Sequence, residues 1–273
     1  MKPVAFDIVR ARSLAETTRL LAESGGTARL VAGAQSLGPM LNLRLAQPRL
    51  LIDITGIPDL TRIEDTVDSV TIGACVSTAN IEDGRLPGRG LDTLPAVATH
   101  IAYRAVRNRG TIGGSLCHAD PAADWVSTLC ALGAECLITG VNGKRRLLAD
   151  QFISGAYQTA LAADEMLEAI RVPRLSAGGR CGYYKVCRKA GEFAMAIGVV
   201  LNDLDRGEFR VVIGATKGRP IVITDARDLQ RADKSIDEDA ILRVLDKHGV
   251  VDRIARRQKL AALARAYNQA MKP

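Results

Sequence analysis

The sequence predicts an α+β protein made of three successive pieces. Up to about residue 55, strand-like and helix-like runs alternate, the pattern of a small α/β unit with parallel strands. Asn142-Gly143 falls between two strand-like runs, which marks a hairpin in the second piece. Beyond the Gly-containing stretch 175–179 come three strand-like runs and then two helices, an α+β arrangement with a three-stranded antiparallel sheet. The expected boundaries are 1–55, 56–175 and 180–273, with 175–179 as the linker.

Each element has a local cause. Residues 13–24 read as a helix: Ser13 and Glu16 form an S-x-x-E capping box, Leu14, Leu20 and Leu21 supply apolar positions, and Gly25-Gly26 end it. A strand at 28–31, a loop of Ala32, Gly33, Ala34, Gln35 and Ser36, a helix near 39–44 and a strand at 50–54 follow. Strands at 60–63 and 69–72, helices at 78–83 and 94–101, and a polar, Gly-containing segment at 103–124 come next. A helix at 125–132 precedes the hairpin, whose strands are 135–139 and 144–148, and a strand at 165–172 is stopped by Pro173. The last piece has strands at 182–188, 194–202 and 208–215. Its first helix opens on a second capping box, Ser235 and Glu238, and ends at Gly249; the last helix runs over 251–271.

Composition narrows the function. Of 273 residues, 47% are hydrophobic and 25% charged, enough for a buried core and against disorder. Aromatics are only 4%, which argues against a base-stacking platform for nucleic acid. The net charge of +7 is spread along the chain, apart from a cluster of Arg253, Arg256, Arg257 and Lys259. That cluster reads as a helix face turned to solvent or to an acidic partner protein. The six cysteines form no C-x-x-C pair, the start carries no apolar signal core, and no apolar run is long enough for a membrane span. Reduced thiols and a cytoplasmic location are expected.

Chemistry-bearing motifs are few. There is no G-x-G-x-x-G after a strand, no P-loop, no H-E-x-x-H and no G-x-S-x-G elbow, and the three histidines are scattered. Two loops are informative. Ala32, Gly33, Ala34, Gln35 and Ser36 follow a strand and open a helix, where small residues admit a ligand to the backbone and free N–H groups favour an anion. Thr111, Ile112, Gly113, Gly114 and Ser115 form the second loop, preceded by Arg104, Arg107 and Arg109 and followed by Asp120 and Asp124. Two amide-rich loops cradle a pyrophosphate, and a carboxylate beside them accepts bonds from sugar hydroxyls. The same spacing also fits two tight turns with glycines present for geometry alone.

Three blocks carry a family resemblance: Val31-Ala32-Gly33-Ala34-Gln35-Ser36-Leu37, then Val106 through Leu116, then His118-Ala119-Asp120-Pro121-Ala122-Ala123-Asp124. Thr159-Ala160-Leu161, Asp164-Glu165-Met166-Leu167 and Tyr183-Tyr184-Lys185 add to them. Together they resemble the FAD-binding subunit of the molybdenum hydroxylases, the family of carbon monoxide dehydrogenase medium subunits and the flavin domain of xanthine dehydrogenase. The resemblance covers essentially the whole chain. It implies a vanillyl-alcohol-oxidase-type FAD-binding fold of two α/β subdomains, followed by the C-terminal α+β domain. It implies that both loops hold the FAD pyrophosphate and that Asp124 binds a sugar or ribityl hydroxyl. Ile101 and Leu167 would pack against flavin or adenine, and Lys185 would lie near the polar edge of the isoalloxazine. Lys185 on its own, alternating with Tyr184 and Val186, reads as a plain solvent-facing strand residue, and only the other motifs favour the flavin role. Asp120 reads as the cap of a helix beginning near Pro121, and Trp125 as a core or interface anchor.

The resemblance further implies an electron-transfer subunit. A small subunit with two 2Fe–2S clusters would feed its FAD, which would pass electrons to NAD, a quinone or another acceptor, while a large subunit holds the molybdopterin cofactor. The assembly would be a dimer of heterotrimers. The alternatives are a stand-alone flavoenzyme on the same fold and a scaffold subunit without flavin. Two positions depart from the family pattern. Ala34 stands where Gly is usual, which strains the backbone by about 1 kcal/mol if φ there is positive. Cys117 stands where Ala is common, as a small apolar filler rather than a redox group. The clustered cysteines of the 4-hydroxybenzoyl-CoA reductase branch are not visible, so FAD alone is expected in this chain.

Overall fold

The structure, a computed structural model, describes residues 2–231 and 233–272. Met1, Ala232 and Pro273, which fall inside the expected outer boundaries, lie outside the described residues. The chain opens with β1 (Asp7–Arg10), α1 (Leu14–Glu23), β2 (Ala28–Val31), α2 (Leu37–Asn42) and β3 (Leu50–Asp53). The three strands form a parallel sheet in the order β1-β3-β2, as the strand–helix alternation requires. Ser13 Oγ accepts from Glu16 N at 3.1 Å, and Glu16 returns a bond to Arg12 N at 2.8 Å, which starts α1 where the capping box puts it. Helix α2 begins two residues earlier than expected.

The middle of the chain adds β4 (Ile63–Asp65), β5 (Ser69–Gly73), α3 (Thr78–Glu82), α4 (Thr93–Ala98), α5 (Arg104–Arg107), α6 (Ile112–His118) and α7 (Asp124–Ala131). It continues with β6 (Glu135–Gly140), β7 (Gly143–Leu148), α8 (Ala149–Phe152), β8 (Ile153–Gly155), β9 (Gln158–Thr159) and β10 (Met166–Pro173). Five of these strands form an antiparallel sheet, β4-β5-β10-β6-β7, and β8 pairs with β9. The expected strand at 60–63 is corrected: Pro58–Thr61 is a 3-10 turn that buries Leu60, and β4 starts only at Ile63. Pro58 presets that turn and supplies no ladder N–H. The segment 103–124, expected as a polar loop, contains α5 and α6. Ile112 and Leu116, four residues apart, are both fully buried, and that apolar pair outweighs the helix-weakening glycines between them.

The C-terminal part holds β11 (Arg180–Val186), β12 (Ala196–Asp203), β13 (Glu208–Gly214), β14 (Ile221–Ile223), α9 (Glu238–Lys247) and α10 (Arg253–Ala270). Its antiparallel sheet has four strands in sequence order, not three. The added strand is three residues long and follows Pro220, too short for its pattern to register. Ser235 is not the cap of α9: Asp237 takes that place and accepts from the N–H groups of Asp239 and Ala240. The supposed linker is tied down, since Asp203, fully buried, accepts from Ser176 N at 2.9 Å and Ser176 Oγ at 2.6 Å.

Both faces of this sheet are apolar. Ile197, Val199, Leu201 and Val212 belong to the core shared with the first two sheets. Val200, Val211 and Ile213 pack under α9 and α10 in a second core. Burial on both faces explains why β12 reads as a continuous apolar run. Helix α7 is buried at every one of its residues and packs on β12 and β13. Trp125 sits there as a core anchor, its indole N–H donating to Thr78 Oγ1 at 3.2 Å.

Lys259 departs from the expected solvated face. It is 3% exposed and donates to Gly214 O at 3.1 Å and Ala215 O at 2.7 Å. Burial pushes its amine from 10.5 down to about 8. The unfolded chain therefore holds this proton more tightly, and stability rises with pH between about 8 and 10.5. The slope from this one group reaches about 1.4 kcal/mol per pH unit. Denaturant unfolding should show Lys259→Met losing that rise relative to the wild type; parallel pH profiles would disprove the assignment.

Candidate functional site

The two loops singled out in the sequence meet. Gly33 lies so close to the main chain of Arg109 that a Cβ there would stand 2.0 Å from the Arg109 carbonyl oxygen. Only glycine permits that approach. The segment after Arg109 is fixed by its own bonds. Thr78 N donates to Gly110 O at 2.8 Å, Ile112 N to Val76 O at 3.1 Å and Gly113 N to Ala74 O at 3.0 Å. Gly113 is pressed on Ala74 as Gly33 is on Arg109, its would-be Cβ 2.5 Å from that of Ala74. Thr111 caps α6 by accepting from Gly114 N at 3.0 Å, and Ser115 N donates to Thr111 O at 3.1 Å.

In the second segment only the Thr111 amide lacks an acceptor among the described residues, and Thr111 lines the cavity described below. The N–H groups of Ile112, Gly113, Gly114 and Ser115 are all bonded within the protein. The first loop is the opposite case. None of the N–H groups of Gly33, Ala34, Gln35 and Ser36 has an acceptor among the described residues. Gln35 folds back, its Nε2 donating to Gly33 O at 2.8 Å, and Ser36 Oγ makes no capping bond to α2. Ala34 has φ +57°, in the left-handed region. Consecutive free amides around such a turn form an anion-binding concavity.

Beside it is a cavity of about 220 Å3 whose walls include Ala32, Gly33 and Thr111. Thr55, Cys75, Ser77, Asn108 and Arg109 complete the lining, and none of these five was named from the sequence as a contact. Arg109 could have been found: it is a cation directly before a Gly-Thr-Ile-Gly-Gly run. It is exposed and has no carboxylate within ion-pair distance among the described residues. Cys75 supplies no nucleophile, because burial, and after it the charge of Asp53, pushes its thiol up to about 12. Cys117, expected as an apolar filler, is open to solvent yet crowded by protein, and desolvation pushes its thiol up to about 12 as well.

The remaining expected residues form a second centre. Asp124, the first residue of α7, is 7% exposed. Its Oδ1 accepts from Tyr183 Oη and pairs with Lys185 Nζ at 2.9 Å. Lys185, far from facing solvent, is 9% exposed and also donates to His100 O at 2.7 Å. Burial, and after it the Asp124 charge, raises the Tyr183 phenol well above its ordinary value, so it stays a donor. Asp124 Oδ2 has no partner among the described residues, which leaves one oxygen able to accept a hydroxyl. Ile101 is half-buried next to His100. Leu167 is 3% exposed and packs in the core. Asp120 is corrected. It accepts from Ala122 N at 2.9 Å in a turn, and the helix starts only at Asp124.

Four free amides, a glycine-permitted close approach and an uncompensated arginine suit a doubly charged pyrophosphate. Ala34 is the one residue of that loop under strain. Replacing it with glycine relieves an αL penalty of about 1–2 kcal/mol and adds chain entropy to the unfolded state, leaving roughly 0.5–1 kcal/mol. Ala34→Gly should raise the urea midpoint with an unchanged m value. A midpoint equal to or below that of the wild type would show the loop to be unstrained.

Comparison with known proteins identifies the family. Residues 4–175 match the family described as FAD binding domain in molybdopterin dehydrogenase. The carbon monoxide dehydrogenase medium chain of Hydrogenophaga pseudoflava is 39% identical over 196 residues, 72% of this chain and 68% of that one. The nicotine 6-hydroxylase medium subunit of Paenarthrobacter nicotinovorans is 37% identical over 204 residues, 74% of this chain and 71% of that one. The solved structure of carbon monoxide dehydrogenase from Hydrogenophaga pseudoflava superposes with a TM-score of 0.89 at 31% identity, covering 99% of this chain and 98% of that one. The chain thus belongs to the FAD-binding family of the molybdopterin dehydrogenases, with FAD as its cofactor and oxidoreduction as its chemistry.

Proposed function

We propose that this chain is the electron-transfer subunit of a heterotrimeric molybdenum hydroxylase, placed between 2Fe–2S clusters of a small subunit and an outside acceptor such as NAD or a quinone. The observation that carries the reading is the run of four unpartnered amides from Gly33 to Ser36, which begins on the cavity wall that Gly33 shares with Arg109. The relatives' names, medium chain and medium subunit, support a large and a small partner. FAD supplies the ability to take electrons singly and release them in pairs. The chain's own residues bind, orient and charge-balance it.

In this reading the Gly33–Ser36 amides and Arg109 hold the pyrophosphate. Asp124 Oδ2 accepts a sugar or ribityl hydroxyl. Lys185, fixed by Asp124 Oδ1 and His100 O, presents a positive charge that favours the extra negative charge of the reduced cofactor. The vanillyl-alcohol-oxidase-type arrangement would divide the chain at 1–55 and 56–175, with 180–273 as the C-terminal domain, and the complex would be a dimer of heterotrimers. Six free cysteines favour the cytoplasm. Among the described residues no helix is long and apolar enough to cross a membrane.

The first test is the visible spectrum of the chain co-expressed with its partner subunits, before and after heat release of the cofactor. Flavin bands with released FAD and broad iron–sulfur absorption from the partners are expected; a protein that takes up no FAD on reconstitution would sink the reading. A second test is Gly114→Val. A Cβ there would stand 2.7 Å from Thr111 Oγ1, so the branched side chain breaks the cap of α6 and moves the wall beside Arg109. FAD content should fall by more than tenfold; a folded variant with normal FAD content would remove this segment from the site.

A further inference from the structure

Three consecutive carbonyls next to the site are each held by a buried cation. Lys185 Nζ donates to His100 O at 2.7 Å. Arg107 Nη1 donates to Ile101 O and to Ala102 O, both at 2.9 Å. The rest of the Arg107 guanidinium grips Glu82 in a fork, Nε to Oε2 and Nη2 to Oε1, both at 2.8 Å. The Arg107 side chain is only 11% exposed and that of Glu82 16%, so solvent screens this pair weakly. Ala102 has φ +45°, a conformation that a non-glycine residue keeps only when its surroundings over-determine it. Gly191 closes on it from the other side, its would-be Cβ 2.7 Å from Ala102 O.

The elements joined by Arg107 all border the site. Helix α3, which carries Glu82, is capped by Ser77, a cavity-lining residue whose Oγ accepts from Asn80 N. Helix α5, which carries Arg107, runs directly into Asn108 and Arg109 on the cavity wall. The segment 100–102 holds the carbonyl that fixes Lys185 and, through it, Asp124. Four of the five guanidinium N–H donors are used on these protein groups, so Arg107 acts through its neighbours.

We propose that Arg107 is a positioning residue. It locks the cavity wall at Asn108–Arg109 to the segment that seats Lys185, and so sets the distance between the pyrophosphate end of bound FAD and the cation at its other end. This rests on the cofactor placement proposed above. A bidentate guanidinium suits the task because its donors lie in one plane, one edge on a carboxylate and the other on two carbonyls, which a lysine cannot match.

The test uses the assembled enzyme carrying Arg107→Met or Arg107→Lys, with Glu82→Gln as a milder variant that keeps the side-chain shape should Arg107→Met not fold. FAD content, visible circular dichroism and the reduction potential of the bound flavin are read beside thermal unfolding. FAD should stay near one per chain while the dichroism of the bound flavin changes and its potential falls, with Arg107→Lys intermediate. Bound flavin with wild-type dichroism and potential in every folded variant would overturn the proposal. So would a loss of FAD that merely tracks thermal stability. Wild-type enzyme without FAD would instead overturn the cofactor placement itself, so the two failures are distinguishable.

Discussion

Helix α7 is buried on every side, and its single charge, Asp124, has to be balanced inside the protein. A lone carboxylate there would cost several kcal/mol in lost hydration. Its place at the helix start helps, because the macrodipole favours a negative group there. The rest comes from the C-terminal sheet, which sends Lys185 and Tyr183 from one strand to the same oxygen. That sheet is consequently not an appendage. Its inner face shares the main core, and its outer face builds a second one with α9 and α10. Satisfying one buried charge adds a polar tie between α7 and the C-terminal sheet to the shared apolar core.

The opposite end of the site is governed by missing atoms. Gly33 and Gly113 let main chain touch main chain where any side chain would intrude. The two touching segments then divide the work. The stretch 112–115 spends its N–H groups on Val76, Ala74 and Thr111 and becomes a rigid wall. The stretch after Ala32 keeps its N–H groups free. In the proposed cofactor placement such a wall beside a free set of donors would lose little ordering entropy on binding.

Much of this was legible in the sequence because it is local. The capping box at Ser13, the strand–helix alternation up to β3 and the hairpin near Asn142-Gly143 each depend on residues a few positions apart. The resemblance carried by the blocks around Gly33 and Gly113 led to the family and its cofactor. What stayed hidden depends on distant partners. That Leu167 belongs to the core, that Lys259 turns inward and that Lys185 answers Asp124 are consequences of packing across the chain. The connection 175–179 looks flexible from its glycines, but Asp203 ties Ser176 down from another strand. The unused amides of residues 33–36 were expected, whereas the used ones of 112–115 became visible only with their acceptors, Val76 and Ala74, in place.

The sulfur on the cavity wall has a consequence for oxidation of the protein. Peroxide and disulfides react with the thiolate of a cysteine, hardly at all with the thiol. With its pKa near 12, Cys75 exists as thiolate in only about one molecule in 10^5 at neutral pH. Cys130 and Cys181 are held at about the same value by burial. An oxidant that enters this cavity therefore meets the Cys75 sulfur in its unreactive thiol form.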